Sequence, residues 1–204
     1  MTEPVTRAAL LARLAGTTGG ARRIVAIAGA PASGKSTLAE DLARRLPASA
    51  VLPMDGFHYD DAVLDAWGMR PRKGAPPSFD LDGLAHMLGR LAADDGRAVA
   101  VPVFDRALEI SRAGARIIGP DIRLILCEGN YLLLDDPAWR GLGRFFDLTV
   151  MVESDLSDIK ARLARRWQGH ADAQAKLEGN DLPNARLVMT ASRPADLLLR
   201  DAGP

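Results

Sequence analysis

The sequence predicts an α/β fold built on a parallel sheet covered on both faces. Two observations carry this. Short apolar runs alternate with stretches of helical periodicity along most of the chain. The clearest run, residues 24–28 (IVAIA), is apolar without interruption, as a strand buried on both faces is.

Taken in order, residues 1–20 read as an N-terminal amphipathic helix. Thr2 is its cap, Pro4 lies in the first turn, Leu10, Leu11 and Leu14 are its stripe, and Gly16 stops it. The strand over 24–28 leads through a glycine-containing turn into a helix over 35–46, which Pro47 ends. Residues 51–54 are a second short strand, weakened by Pro53.

Residues 55–79 differ in character. Asp55, Asp60, Asp61 and Asp65 are followed by Arg70, Arg72 and Lys73 and then by Pro76-Pro77, which reads as a long irregular segment of functional kind. A helix follows over 80–93, with Leu81, Leu84, Leu88 and Leu91 at helical spacing. Strands are expected over 99–104, briefly at Ile117-Ile118, over 124–127 and over 148–152. The last two end on Glu128-Gly129 and Glu153-Ser154. Ser154 is expected to cap a helix whose stripe is Leu156, Ile159, Leu163 and Trp167, with Arg162, Arg165 and Arg166 off that stripe. A helix over 182–191, with Asp181 near its cap, and a strand over 195–199 complete the set.

Composition narrows the function classes. The 204 residues hold 26 basic and 26 acidic side chains, so nothing draws the whole molecule to nucleic acid or to an anionic membrane. The length suits a single domain, 1–204. Cys127 is the one cysteine, which forbids an internal disulfide and fits a cytoplasmic setting. No run approaches ~18 apolar residues, so no membrane insertion is expected, and the N-terminus lacks the basic start of a secretory leader. Only four of the basic residues are lysine: Lys35, Lys73, Lys160 and Lys176.

One of those lysines sits in the strongest motif. Gly29, Ala30, Pro31, Ala32, Ser33, Gly34, Lys35 and Ser36, followed by Thr37, fit Gly-x-x-x-x-Gly-Lys-[Ser/Thr] without a mismatch. The glycines let the backbone wrap so that its N–H groups point at phosphate oxygens, and the following helix adds its positive end. Lys35 then reaches the β- and γ-phosphates, and the Ser36 hydroxyl can ligate Mg²⁺. Chance would place this string in such a composition roughly once in four hundred sequences, and the strand before and helix after it are both present. ATP with Mg²⁺ is the cofactor pair that follows.

The chain lacks the Asn-Lys-x-Asp that reads guanine and the Leu-Ser-Gly-Gly of transporter ATPases, which leaves small-molecule kinases and generic ATPases. A kinase needs a group that orients the acceptor hydroxyl. Asp55, just past the second strand, is placed to accept its proton, against the plainer reading of a turn-capping Asp before Gly56. Glu128, at another strand end, can hold Mg²⁺ or contact the acceptor, or pair with an arginine as a buried acid. Arg162, Arg165 and Arg166 could close over phosphates from a hinged helix or form a solvated face. His58 either faces the acceptor or is a hydrogen-bonded structural histidine. Arg106 could bind an anionic or polyol acceptor, or pair with Asp105 or Glu109. Cys127 reads as core.

Taken together, residues 29–37 (GAPASGKST), 54–58 (MDGFH), 101–106 (VPVFDR) and 127–132 (CEGNYL) resemble the P-loop kinases grouped with uridine kinase, phosphoribulokinase and bacterial pantothenate kinase. Residues 73–80 (KGAPPSFD), 128–135 and 180–185 (NDLPNA) resemble the fructose transport system kinases within that group. The resemblance implies a P-loop NTPase core, doubly wound around a mainly parallel five-stranded sheet, with 55–79 as acceptor-site loop and 160–180 as a small lid. It implies Asp55 as base, Glu128 as metal or acceptor acid, Arg162 and Arg166 in the lid, and Asn184 near the adenine. The substrate-binding set is Asp55, His58, Arg106 and Glu128, and the metal set is Ser36 and Glu128. Phe104 stands where uridine and pantothenate kinases carry Tyr, and Arg106 follows the Asp, so neither of those specificities transfers.

The expectation is an ATP-dependent kinase for a hydroxyl of a small metabolite, a sugar such as fructose by the subgroup resemblance. The alternatives are a nucleoside or pantothenate-like acceptor, or an ATPase accessory to a sugar transporter. A homodimer stays open. An enclosed pocket at Asp55 favours the kinase, an open surface beside the γ-phosphate the accessory protein.

Overall fold

The computed structural model describes residues 2–17 and 20–200. In chain order the first half comprises β1 (Glu3–Val5), α1 (Arg7–Ala15), β2 (Arg23–Gly29), α2 (Lys35–Arg45), β3 (Ser49–Pro53), α3 (Asp61–Ala66) and α4 (Leu81–Ala92). A hairpin of β4 (Val99–Asp105) and β5 (Ile110–Ile118) follows. The second half is β6 (Leu124–Gly129), α5 (Pro137–Arg140), β7 (Leu148–Glu153), α6 (Leu156–Arg166), α7 (Ala173–Lys176), α8 (Leu182–Ala191) and β8 (Leu197–Arg200).

Six strands, one more than expected, form a parallel sheet in the order β1-β8-β7-β2-β6-β3. The alternation within β2 divides the core. Val25 and Ile27 point to one face, where Leu10 and Leu14 of α1 and Leu38 and Leu42 of α2 cover them. Ile24, Ala26 and Ala28 point to the other, under Leu84 and Leu88 of α4, Leu163 of α6 and Val188 of α8. Burial on both faces is why, after the exposed Arg23 that opens β2, β2 and β6 carry no polar alternate positions until β6 reaches Glu128. Cys127 lies fully buried in that core, where desolvation pushes its thiol far up.

The N-terminal reading needs correction. Glu3–Val5 is an edge strand paired with β8, and Pro4 is tolerated there because an edge strand can spare an N–H. The cap of α1 is Thr6, whose side chain accepts from Ala9 N at 3.2 Å, not Thr2. Residues 1, 18 and 19 of that segment lie outside the described residues.

The stretch 55–79 is also more regular than expected. It holds single 3-10 turns at Met54–Phe57, Arg70–Arg72 and Pro76–Ser78, and α3, capped by Asp60 through Ala62 N at 2.9 Å. β5 runs well beyond Ile117-Ile118. Its middle residues are exposed, so it lacks the alternation that marks a strand in sequence. Ser154 does not cap α6: Asp155 occupies that position, and the Ser154 hydroxyl donates to Ser33 O at 3.3 Å. A π-type turn, Leu177–Asp181, leads into α8, a rare geometry that recurs at functional sites. Among the described residues no helix is long and apolar enough to cross a membrane.

Away from the strand ends that hold the motif, Arg22 fastens the sheet. Its side chain is 1% exposed and pairs with Asp94 at 3.1 Å. It donates to the carbonyls of Ile122 (2.9 Å), Gly119 (3.0 Å) and Leu91 (3.3 Å), so it ties the start of β2 to the end of α4 and the approach to β6. Arg22→Ala removes a buried donor from three carbonyls at once, while Asp94 keeps Arg123 as its partner. We expect it to lower stability in urea unfolding by about 3 kcal/mol, with a loss under about 1 kcal/mol showing that water replaces the guanidinium freely.

Candidate active site

β2 is flanked by β6 on one side and β7 on the other, so the chain reverses its winding direction across it, and a crevice opens at the strands' carboxyl ends. The glycine-containing loop fills that point. Ala32 (φ 61°) and Gly34 (φ 93°) adopt the left-handed conformation that turns successive N–H groups the same way, at a cost for Ala32 of about 1–2 kcal/mol. The loop is held from outside. Arg162 Nη1 donates to Ala32 O at 3.2 Å, and Ser154 holds Ser33 O. Lys35 opens α2 and is buried. Desolvation lowers its ammonium pKa, against the opposing pull of Glu128 and then Asp55.

The two acids arrive from adjacent strands. Pro53 of β3 pairs with Glu128 of β6, so the 3-10 turn after β3 brings Asp55 to the same edge. Close approach is possible because residue 129 is glycine: a Cβ there would lie 2.5 Å from Met54 Cβ. Glu128 is buried and accepts from Ser36 Oγ at 2.9 Å. Burial raises its pKa, with Lys35 opposing and Asp55 adding to the rise. Burial alone would raise Asp55 as well, but His58, Arg106, Lys35 and Arg166 together outweigh it and hold that carboxyl low.

The hairpin supplies the facing wall. Arg106 reaches from the end of β4 to Asp55, Nη2 to Oδ2 at 2.5 Å, and neither Asp105 nor Glu109 is its partner. Asp105 instead pairs with Arg112. His58 Nδ1 donates to Asp55 O at 2.8 Å, and its ring lies 4.0 Å from Phe79 and 4.7 Å from Phe104. Phe104 carries two cations, Lys73 at 5.4 Å and Arg106 at 5.8 Å. Lys73 is fixed by Asp61 Oδ1 at 2.6 Å and by Glu109 O at 2.5 Å.

α6 and the π-type turn close the remaining side. Arg162 and Arg166 line the cavity, whereas Arg165 faces solvent. Burial and the neighbouring Arg106 lower the Arg166 pKa. Trp167 Nε1 donates to Asp181 Oδ2 at 2.7 Å. Asn184 Nδ2 donates to Asn180 Oδ1 at 3.2 Å, and Asn180 Nδ2 to Lys73 O at 2.6 Å. Asn184 Oδ1 is buried and, among the described residues, has no hydrogen-bond partner.

The cavity between these elements measures about 1130 Å³ and is partly open to solvent. Lys35, Ser36, Thr37, Asp55, His58 and Arg106 face it, and Asn184 lines its far part. Pro31, Ala32 and Gly34 also line it, while Gly29, Ala30 and Ser33 lie beneath the surface, and Glu128 is reached through Ser36. Sequence reasoning assigned no role to Lys73 or Asn180. The available signals were the rarity of lysine in a chain whose cations are nearly all arginine, and the two strings, 73–80 and 180–185, that these residues open.

His58 gives a pH prediction. Burial, the largest influence, lowers its pKa, although Asp55's charge and carbonyl pull upward. A depressed folded value means stability that is present above the unfolded value near 6.5 and is lost as pH falls through the folded value. Between about pH 7.5 and pH 5 the thermal midpoint should therefore fall more steeply for the parent than for His58→Phe. Parallel curves would show that His58 is not held neutral.

No protein-family model matches the chain. The structure of a "putative fructose transport system kinase" from Silicibacter sp. TM1040 superposes with a TM-score of 0.84 at 42% identity, covering 92% of this chain and 98% of that one. The uncharacterized protein YggC of Escherichia coli is 35% identical over 189 residues, 87% of this chain and 77% of its own length. A "putative uridine kinase" of Schizosaccharomyces pombe is 30% identical over 195 residues, 88% of this chain and 83% of its own. With the phosphate loop at the switch point of a doubly wound sheet and these relatives matched over most of both lengths, the chain belongs to the P-loop kinases of the uridine kinase group.

Proposed function

We propose that the protein transfers the γ-phosphoryl group of ATP, with Mg²⁺, to a hydroxyl of a small metabolite in the cytoplasm, a sugar such as fructose being the first acceptor to test. The observation that carries this reading is that Lys35 and Asp55 line one cavity, the phosphate loop on one side and the hairpin wall on the other. A carboxylate on the wall facing the phosphate loop is placed to orient an acceptor hydroxyl.

The acceptor oxygen attacks the γ-phosphorus as the bond to the β,γ-bridging oxygen breaks, and its proton passes to Asp55. The transition state is loose, so Asp55 acts mainly by orienting the hydroxyl, and a carboxyl held low suffices for that. Lys35, Arg162 and Arg166 offset charge on the transferring oxygens. The loop's N–H groups hold the phosphates, and Asn184, with its unused buried Oδ1, is suited to an adenine amino group. Ser36 and Glu128 supply two hard oxygen donors 2.9 Å apart, a donor set that fits Mg²⁺ completed by phosphates and water. A cation held by Ser36 and Glu128 would offset phosphate charge during transfer. Residues 55–79 would be the acceptor segment and 160–180 the lid.

Two outcomes test these roles. Asp55→Asn should lower phosphoryl transfer by about 10²–10⁴-fold while the affinity for an ATP analogue stays within about twofold; undiminished transfer would remove Asp55 as base. Arg162→Ala with Arg166→Ala should lower kcat by about 10²-fold or more, beyond any change in ATP affinity. An effect confined to thermal stability would make these arginines structural.

A further inference from the structure

The contact between Arg106 and Asp55 sits awkwardly with a base that must meet a hydroxyl. Arg106 is 57% exposed, yet its Nη2 lies 2.5 Å from the mostly buried Asp55 Oδ2. While the guanidinium donates to Oδ2, Asp55 meets a hydroxyl with fewer free acceptor sites and as a weaker base. A neutral polyol offers little to draw the guanidinium away, because a hydrogen bond to an uncharged oxygen is about half as strong as one to a carboxylate. A competing anion can take Arg106 from Asp55.

The γ-phosphate has other cations. Lys35 and Arg162 come from the phosphate loop side, Lys35 within the loop and Arg162 bonded to its Ala32 carbonyl. Arg106 comes from the acceptor hairpin, and its guanidinium lies over Phe104, a ring face along which it can swing without losing its support. Arg166, a cation that acts on Arg106 across the cavity, forms no ion pair among the described residues. Lys73, the other cation on that wall, is already bonded to Asp61 and Glu109. Arg106 and Arg166 share this side of the cavity, and the acids that act on Arg166 (Asp181, Asp55 and Glu109) form no ion pair with it, which leaves its guanidinium open to an added anion.

We infer that the acceptor carries an anionic oxyacid group, carboxylate or phosphate ester, beside the hydroxyl it presents, and that Arg106 leaves Asp55 to bind it. Rested on the kinase reading above, this makes Arg106 the residue that selects the acceptor class. Binding of the acid group and release of the base become one event: Arg106 exchanges one carboxylate for another anion, Asp55 turns to the hydroxyl, the new O–P bond forms as ADP departs, and the proton ends on Asp55.

Matched acceptors separate the possibilities. Glycerol, glycerate and glycerol 3-phosphate, and fructose, gluconate and fructose 6-phosphate, would be compared by ADP release. Their binding to the protein loaded with Mg²⁺ and a non-hydrolysable ATP analogue would be measured by calorimetry. The expected result is binding and transfer confined to charged members, the carboxylate and phosphate arms telling which acid is read. Arg106→Gln should raise the KM of the charged acceptor by about ten- to a hundredfold with the KM for ATP within about twofold, and Arg106→Lys should recover part of the loss. Turnover of the neutral compounds equal to their charged partners, indifferent to Arg106→Gln, would overturn the inference and leave the kinase reading standing. A loss through the KM for ATP would also overturn it, since Arg106 would then serve the nucleotide. If nothing is phosphorylated, the kinase reading fails, and the calorimetry still decides: charged compounds bound by the parent and not by Arg106→Gln support the inference, and no binding rejects it.

Discussion

The structure turns on burying one ammonium and two carboxylates at the edge of a parallel sheet. Any one of these charges alone would cost several kcal/mol to desolvate. Together they compensate: Glu128 and Asp55 oppose the fall in the Lys35 pKa, and Lys35 opposes the rise at Glu128. The arrangement holds only while β2, β3 and β6 keep their register, because a shift of one residue in a strand buried on both faces would exchange Glu128 for Cys127 or Gly129. The apolar layers on either side of the sheet thus do more than exclude water, since they fix the spacing at which the charges offset one another.

What the sequence reveals follows from that division of labour. The central strands and the phosphate loop are legible because their constraints are local: an uninterrupted apolar run, a glycine at a left-handed position, a lysine at a fixed offset. Asp55 and Glu128 are legible because acids at strand ends have few other uses. The contact of Arg106 with Asp55 is not, since it joins a hairpin to a turn 51 residues away and either residue has nearer partners in sequence. β1 and β5 escape because an edge strand of three residues and a strand with an exposed middle carry no period to detect. Ser154 is misread for a related reason: capping is inferred from adjacency, and here tertiary contact with the phosphate loop takes the hydroxyl.

A second network runs across the cavity. Asn184 bonds Asn180, Asn180 bonds the Lys73 carbonyl, and the Lys73 ammonium bonds Glu109 O at the tip of the hairpin. Tyr131, fully buried, adds a bond of 2.6 Å from its hydroxyl to Gly74 O. Helix α8, the 55–79 segment and the β4–β5 hairpin are therefore one hydrogen-bonded frame, and a displacement at the helix is felt at Phe104. The geometry makes Lys73 the joint of that frame: its backbone answers to one side of the cavity and its side chain to the other.

The edge pairing of β1 with β8 has a consequence for how the molecule is made. Among the described residues the first strand pairs with the last strand alone, which leaves the ribosome nearly two hundred residues later. While synthesis proceeds, Glu3–Val5 has nothing to pair with, and α1 can dock only on the sheet that later strands complete. The phosphate loop has its own strand and helix within the first third of the chain, but β2 and β3 meet only through β6, and the other neighbour of β2 is β7. The sheet therefore cannot close around the phosphate loop until β6 is made, and the pairing of β1 with β8 waits longest.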